Sequence, residues 1–233
     1  AITAHETARA LFREQGDTQG EAGAWNNLGA ALRDVRRFDE AITALETARA
    51  LFREQGDTQG EAGAWNNLGA ALGKVRRFDE AITAHETART LHREQGDTQG
   101  EATAWNNLGL ALRDVRRFDE AITAHETART LHREQGDTHS EATAWNNLGT
   151  ALRAKQRFHE AASAGERAAA MLDRERDPFR AGEALEELAV TLTAANADAA
   201  EVRSVWLRAA SAYERANAAQ EAANARAEAD KRA

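Results

Sequence analysis

The chain has 233 residues, no cysteine, one proline and a formal net charge of −8. The acidic balance argues against general nucleic-acid binding, which needs a basic surface to displace counterions. The missing cysteines exclude disulfides and thiolate metal sites, and no apolar run reaches the ~18 residues of a membrane span. No signal peptide is read at the start, and a cytoplasmic location is the expectation.

Residues 1 to 17 read as the second helix of a repeat, because Ala1-Ile2-Thr3-Ala4-His5 matches Ala81-Ile82-Thr83-Ala84-His85. The stretch Trp-Asn-Asn-Leu-Gly then begins at Trp25, Trp65, Trp105 and Trp145, a fixed period of forty residues. Such a period is the signature of stacked supersecondary units. Within the copy from Thr98 to Gly136, the Thr98–Glu101 spacing predicts a capping box and a helix start. Trp105, Leu108, Gly109 and Leu112 follow at helical spacing. A second helix is expected from about Phe118, with Ala121, Ile122, His125, Ala128 and Leu131 on one stripe. Gly136 stands where a left-handed cap is wanted. Residues 18–177 therefore divide into four full repeats. Residues 178–233 read as a degenerate fifth repeat and a capping helix, with a connection near Asn196 to Ala200 about eight residues longer than in the regular units. In that reading Trp206 takes the place of Phe118.

The spacing of Trp105, Leu108-Gly109, Ala121 and Ala128 resembles the tetratricopeptide repeat. The forty-residue form, with Gly-Asp-x-x-Gly-Glu and Asn-Leu-Gly, is similar to the repeats of Pins/LGN-like adaptors. It also resembles the C-terminal arrays of bacterial signalling ATPases of the NB-ARC/STAND type. The resemblance implies an all-α fold, a right-handed α-solenoid of helix-turn-helix repeats. It also implies that the first helices line a concave groove that holds an extended peptide or protein segment, as the sensor or scaffold part of a larger bacterial protein.

On a helical wheel, Trp25, Leu28, Gly29, Leu32 and Val35 form one apolar arc. The adjoining arc is small and polar and carries the groove candidates. Asn26, Asn66, Asn106 and Asn146 form a ladder of amides able to pair with a peptide main chain. Arg33, Arg113 and Arg153 lie further along and suit a carboxylate, which points to an acidic partner. Ala70, Leu110 and Thr150 vary between copies on the same arc. The alternative for the asparagines is a bond to the neighbouring helix that holds the stack, and the corresponding alternative for the array is a structural or self-associating scaffold.

The tryptophans read as core anchors. The pairs His85/His92 and His125/His132 read as packing positions, since Leu45 and Phe52 replace them in another copy, and no metal or cofactor is expected. No phosphate-binding glycine loop and no nucleophile–base spacing occurs, so an enzyme is not expected. Residues 1 to 15 carry apolar positions that a preceding helix would cover, and self-association through them is expected.

Overall fold

Each first helix opens on an aspartate. In the computed structural model, which describes residues 1–232, the Asp57 carboxylate accepts a 2.8 Å bond from the Gly60 backbone N–H, and Thr58 is already helical. Asp17, Asp97 and Asp137 act in the same way. The start expected at Thr98 therefore has its cap one residue earlier. An ionised carboxylate at the positive end of a helix gains both the bond and the dipole, which a hydroxyl cannot match.

Twelve helices occur among the described residues. They fall into two compact units, divided between Arg116 and Arg117. The first unit holds α1 (Ile2–Gln15), α2 (Thr18–Asp34), α3 (Phe38–Glu54), α4 (Thr58–Lys74), α5 (Phe78–Glu94) and α6 (Thr98–Asp114). The second holds α7 (Phe118–Glu134), α8 (Thr138–Ala154), α9 (Phe158–Arg174), α10 (Pro178–Ala194), α11 (Ala199–Arg215) and α12 (Ala219–Asp230). Within each unit every helix packs on its chain neighbours, as in a repeat stack.

Small side chains set the packing distance. Ala62, Ala64 and Ala71 of α4, and Ala81, Ala84 and Ala88 of α5, are fully buried. Glycine is required where the helices meet most closely: a Cβ on Gly29 would lie 2.5 Å from Leu45 Cγ, and one on Gly69 would lie 2.6 Å from His85 Cε1. Such approaches leave no room for a methyl group.

The two kinds of turn solve the same problem differently. The loop from second helix to first helix uses Gly16, Gly56, Gly96 and Gly136 in the left-handed region, with φ of 68 to 71°. The turn inside each repeat puts Arg36, Arg76, Arg116 or Gln156 there, with φ of 61 to 65°. A side chain in that region costs about 1–2 kcal/mol. Backbone bonds such as Arg77 N–H to Leu72 C=O at 3.0 Å hold it in place.

The second unit departs from the sequence expectation at one point. The connection between α10 and α11 spans four residues, 195–198, against three, 155–157, between α8 and α9. It is one residue longer, and the expected eight-residue insertion does not occur. Asp198 caps α11 through the backbone N–H groups of Ala200 and Glu201, so the helix begins well before Trp206. Trp206 accordingly occupies the register of His125, eight residues into its helix, and Tyr213 that of His132. Both are buried, so this repeat fills with two large aromatics the space filled elsewhere by histidine, leucine or phenylalanine.

Candidate protein-interaction face

The first helices of the first unit are tied to one another by their asparagines. The Asn26 Oδ1 accepts a bond from Asn67 Nδ2 at 3.1 Å, and the Asn66 Oδ1 accepts one from Asn107 Nδ2 at 2.9 Å. The first asparagine of one repeat thus accepts from the second asparagine of the next. The Asn66 oxygen also lies 3.1 Å from His85 Nδ1. Burial pushes the His85 pKa down to about 4, so the ring is neutral at pH 7, donates through Nδ1 and keeps Nε2 as an acceptor. The carbonyl end of each linked amide is therefore occupied. No partner among the described residues takes the Nδ2 group of Asn26 or Asn66. Asn106 lies half-buried at the same register of α6.

In the second unit the ladder ends. The residue forty positions beyond Asn147 is Glu187, which has no amide to donate. Asn146 Oδ1 is buried without a partner among the described residues, and Glu187 instead accepts a 2.7 Å bond from Arg153 Nη2. Arg33 donates to the neighbouring Asp34 at 3.1 Å, and Arg113 to Asp114 at 3.5 Å. All three arginines therefore have a carboxylate beside them. Thr150 Oγ1 donates back to the Asn147 carbonyl at 2.7 Å.

The second repeat lacks this arginine. Gly73 stands in the register of Arg33 and Arg113, and Lys74 in that of Asp34 and Asp114. The missing side chain opens a recess of about 270 Å³, with Ala70, Gly73, Leu110 and Ala111 on its walls and the buried His85 at its base. Lys74, Asn107, Arg113 and Asp114 also line the recess; Asp114 is paired with Arg113, and among the described residues no carboxylate forms an ion pair with Lys74. Ala70 and Leu110, two of the sequence-predicted positions, are brought together here.

Sequence reasoning missed the opposite side of the first helices. The guanidinium of Arg9 lies 4.3 Å from the Trp25 ring centre, and those of Arg49, Arg89 and Arg129 lie 4.5 Å from Trp65, Trp105 and Trp145. The tryptophans, expected as core anchors, are half-buried, and each is lidded by a cation from the preceding helix; Trp25 and Trp145 pack against buried core residues. The constant sixteen-residue Arg–Trp spacing was a signal for this. A second missed contact joins buried His92 to Asp97, Nδ1 to Oδ2 at 2.8 Å, while the other oxygen of Asp97 caps α6. No group of three or more metal-ligating side chains occurs among the described residues. Among the described residues no helix is long and apolar enough to cross a membrane.

A tetratricopeptide repeat family model matches residues 20–94, 60–118 and 100–174. The chain belongs to the tetratricopeptide repeat family. No curated protein matches it in sequence. The fold is similar to that of BtubC from P. vanneervenii, at 18% identity and a TM-score of 0.72, over 99% of this chain and 89% of that one. A STAND protein with a tetratricopeptide repeat sensor from Pyrococcus horikoshii matches at 13% identity and a TM-score of 0.74, over 92% of this chain and 37% of that one. A Rap protein complexed with Competence and Sporulation Factor matches at 13% identity and a TM-score of 0.71, over 100% of this chain and 71% of that one. These likenesses establish a tetratricopeptide-type α-solenoid fold. Repeat folds of this kind present extended binding surfaces.

Proposed function

We propose that the first-helix face of this tetratricopeptide array binds an extended protein or peptide segment, with the chain acting as the sensor or scaffold part of a larger bacterial signalling protein. One observation carries the reading. The Asn26 and Asn66 amides have their oxygens occupied within the protein and their Nδ2 donors unused, so what they offer a partner is a row of donors for main-chain carbonyl oxygens. Asn106 and Asn146 continue the proposed set. The neighbouring solved structures that include a sensor repeat and a factor-bound Rap protein agree with this reading.

The preferred segment carries acidic side chains. Arg33, Arg113 and Arg153 each have a carboxylate already, so the leading contact for a partner's carboxylate is Lys74, beside the recess that Gly73 opens. The test is a displayed peptide library followed by fluorescence anisotropy on the winners. Asn66→Ala should weaken a selected peptide by ~1–3 kcal/mol, from a carbonyl left unpaired. Lys74→Glu should remove the preference for acidic peptides. A library without winners would leave the scaffold reading, which the Asn66–Asn107 bond between neighbouring first helices favours.

A further inference from the structure

Three first helices carry the same small assembly. The indole N–H groups of Trp65, Trp105 and Trp145 donate to Glu61, Glu101 and Glu141, one turn back, at 3.3 to 3.4 Å. The guanidinium groups of Arg49, Arg89 and Arg129 lie over the same rings. Trp145 carries a second cation, because Arg167 of the following helix lies 4.9 Å from its ring centre.

The fifth repeat replaces all three members at once. Forty residues beyond Glu141, Trp145 and Arg129 stand Ala181, Leu185 and Ala169. A recess of about 360 Å³ opens there between α9, α10 and α11, with these three residues as its apolar floor. The large aromatics of this repeat, Trp206 and Tyr213, do not line it.

One part of the assembly remains in place. Arg208 is the tenth residue of α11, as Arg167 is the tenth of α9, so it stands in register to Leu185 as Arg167 stands to Trp145. It lines the recess, and Glu166 holds it by two bonds of 2.8 and 2.9 Å. Such a fork uses the edge of the guanidinium and leaves its faces for stacking. Arg215, held by Asp173 at 2.6 Å, is the second cation of the rim. Two guanidinium groups against the one lining carboxylate make the rim positive, in a chain of net charge −8. A positive rim over an apolar floor complements the negative face of an aromatic ring. The exposed Ser211 hydroxyl offers an acceptor for an indole N–H, now that alanine holds the glutamate register.

We propose that this recess binds a tryptophan side chain presented by a partner protein. The indole would take the place that the chain fills from within in its other repeats. The recess is open to the surface, which suits one anchoring side chain better than a small molecule needing enclosure. No asparagine of the first-helix ladder lines it, so the site is separate from the face proposed for extended segments.

The peptide acetyl-Gly-Ser-Trp-Ser-Gly-amide, titrated into the ¹⁵N-labelled chain, tests this. Saturable amide shifts are expected at Ala169, Ala181, Leu185 and Ser211, with Asn66 and Asn107 unmoved. Leucine in place of the peptide's tryptophan should weaken binding roughly fivefold or more, and Arg208→Ala in the chain should do the same. Arg208 is half-exposed, so thermal unfolding of that variant should stay close to the parent's. Leu185→Trp should fill the recess from within and abolish the shifts. Equal binding by the leucine peptide, full binding by the Arg208→Ala chain, or no saturable shift at these four residues would overturn the proposal. Tighter binding by free N-acetyl-tryptophanamide than by the peptide would overturn it in favour of a small-molecule site. Concentration-dependent shifts in the recess without peptide would overturn it in favour of a second copy.

Discussion

Asn107 donates to Asn66 across two first helices, 41 residues apart in sequence and 2.9 Å apart in space. The bond has a measurable price. Asn107→Ala removes one of the two donors to the Asn66 oxygen and should destabilise the chain by about 0.5–1.5 kcal/mol. Urea denaturation of the full chain checks it, and Ala70→Ser on the same face is the neutral control.

His85 makes stability depend on pH. Its folded pKa near 4 lies below the ordinary value of 6.5, so the unfolded chain binds the extra proton first. The contribution is intact above pH 6.5 and is lost as the pH falls from 6.5 to 4, by roughly 3 kcal/mol in all. His85→Leu imports the Leu45 arrangement, already accommodated against Gly29, and should flatten this part of the profile. Urea midpoints at pH 7, 5.5 and 4.5 for both chains decide the matter.

The strained turns offer a stabilising change. Arg76 has φ of 63°, in the region that glycine enters without strain. Arg76→Gly should raise stability by about 0.5–1 kcal/mol, the relief being offset in part by a more flexible unfolded chain. Arg76→Val should lower it. Differential scanning calorimetry distinguishes the two directions.

The tryptophans should separate into two classes. Trp65 is half-buried beneath Arg49, and Trp65→Ala should cost about 2–3 kcal/mol. Trp206 is 6% exposed in the aromatic-filled fifth repeat, and Trp206→Ala should cost about 3–5 kcal/mol. Hydrogen exchange should place each loss in its own unit, because neighbouring repeats carry the coupling.

Most of the fold was legible because a forty-residue period states each interface several times over. The apolar arc with Gly29, the left-handed Gly136 and the helix pairs all follow from local pattern. The asparagines were legible as polar and repeating, but their pairing was not. Whether Asn66 faces a partner or the next helix depends on a crossing distance that a helical wheel does not contain. The length of the loop after Ala194 was misread because Trp206 was aligned by its size with Phe118. The Asp198 cap was the better guide, since it marks where a helix begins whatever fills its core. The arginine lids escaped notice because guanidinium stacking joins residues on different helices.

Near-identity of the repeats has a kinetic consequence. The ring at position 12, 52 or 92 sits on the glycine at 20, 60 or 100, and these three junctions have closely similar walls. A chain collapsing from the unfolded state meets several almost equivalent ways to join a second helix to a later first helix, and all but the native one skip one or more repeats. Distinct labels gather towards the end of the chain, where Ser140 replaces the glycine, Leu188 fills the space over Gly165 and Glu187 meets Arg153. Refolding from denaturant should therefore show slow phases from out-of-register pairing, most pronounced among the four copies and least in the fifth.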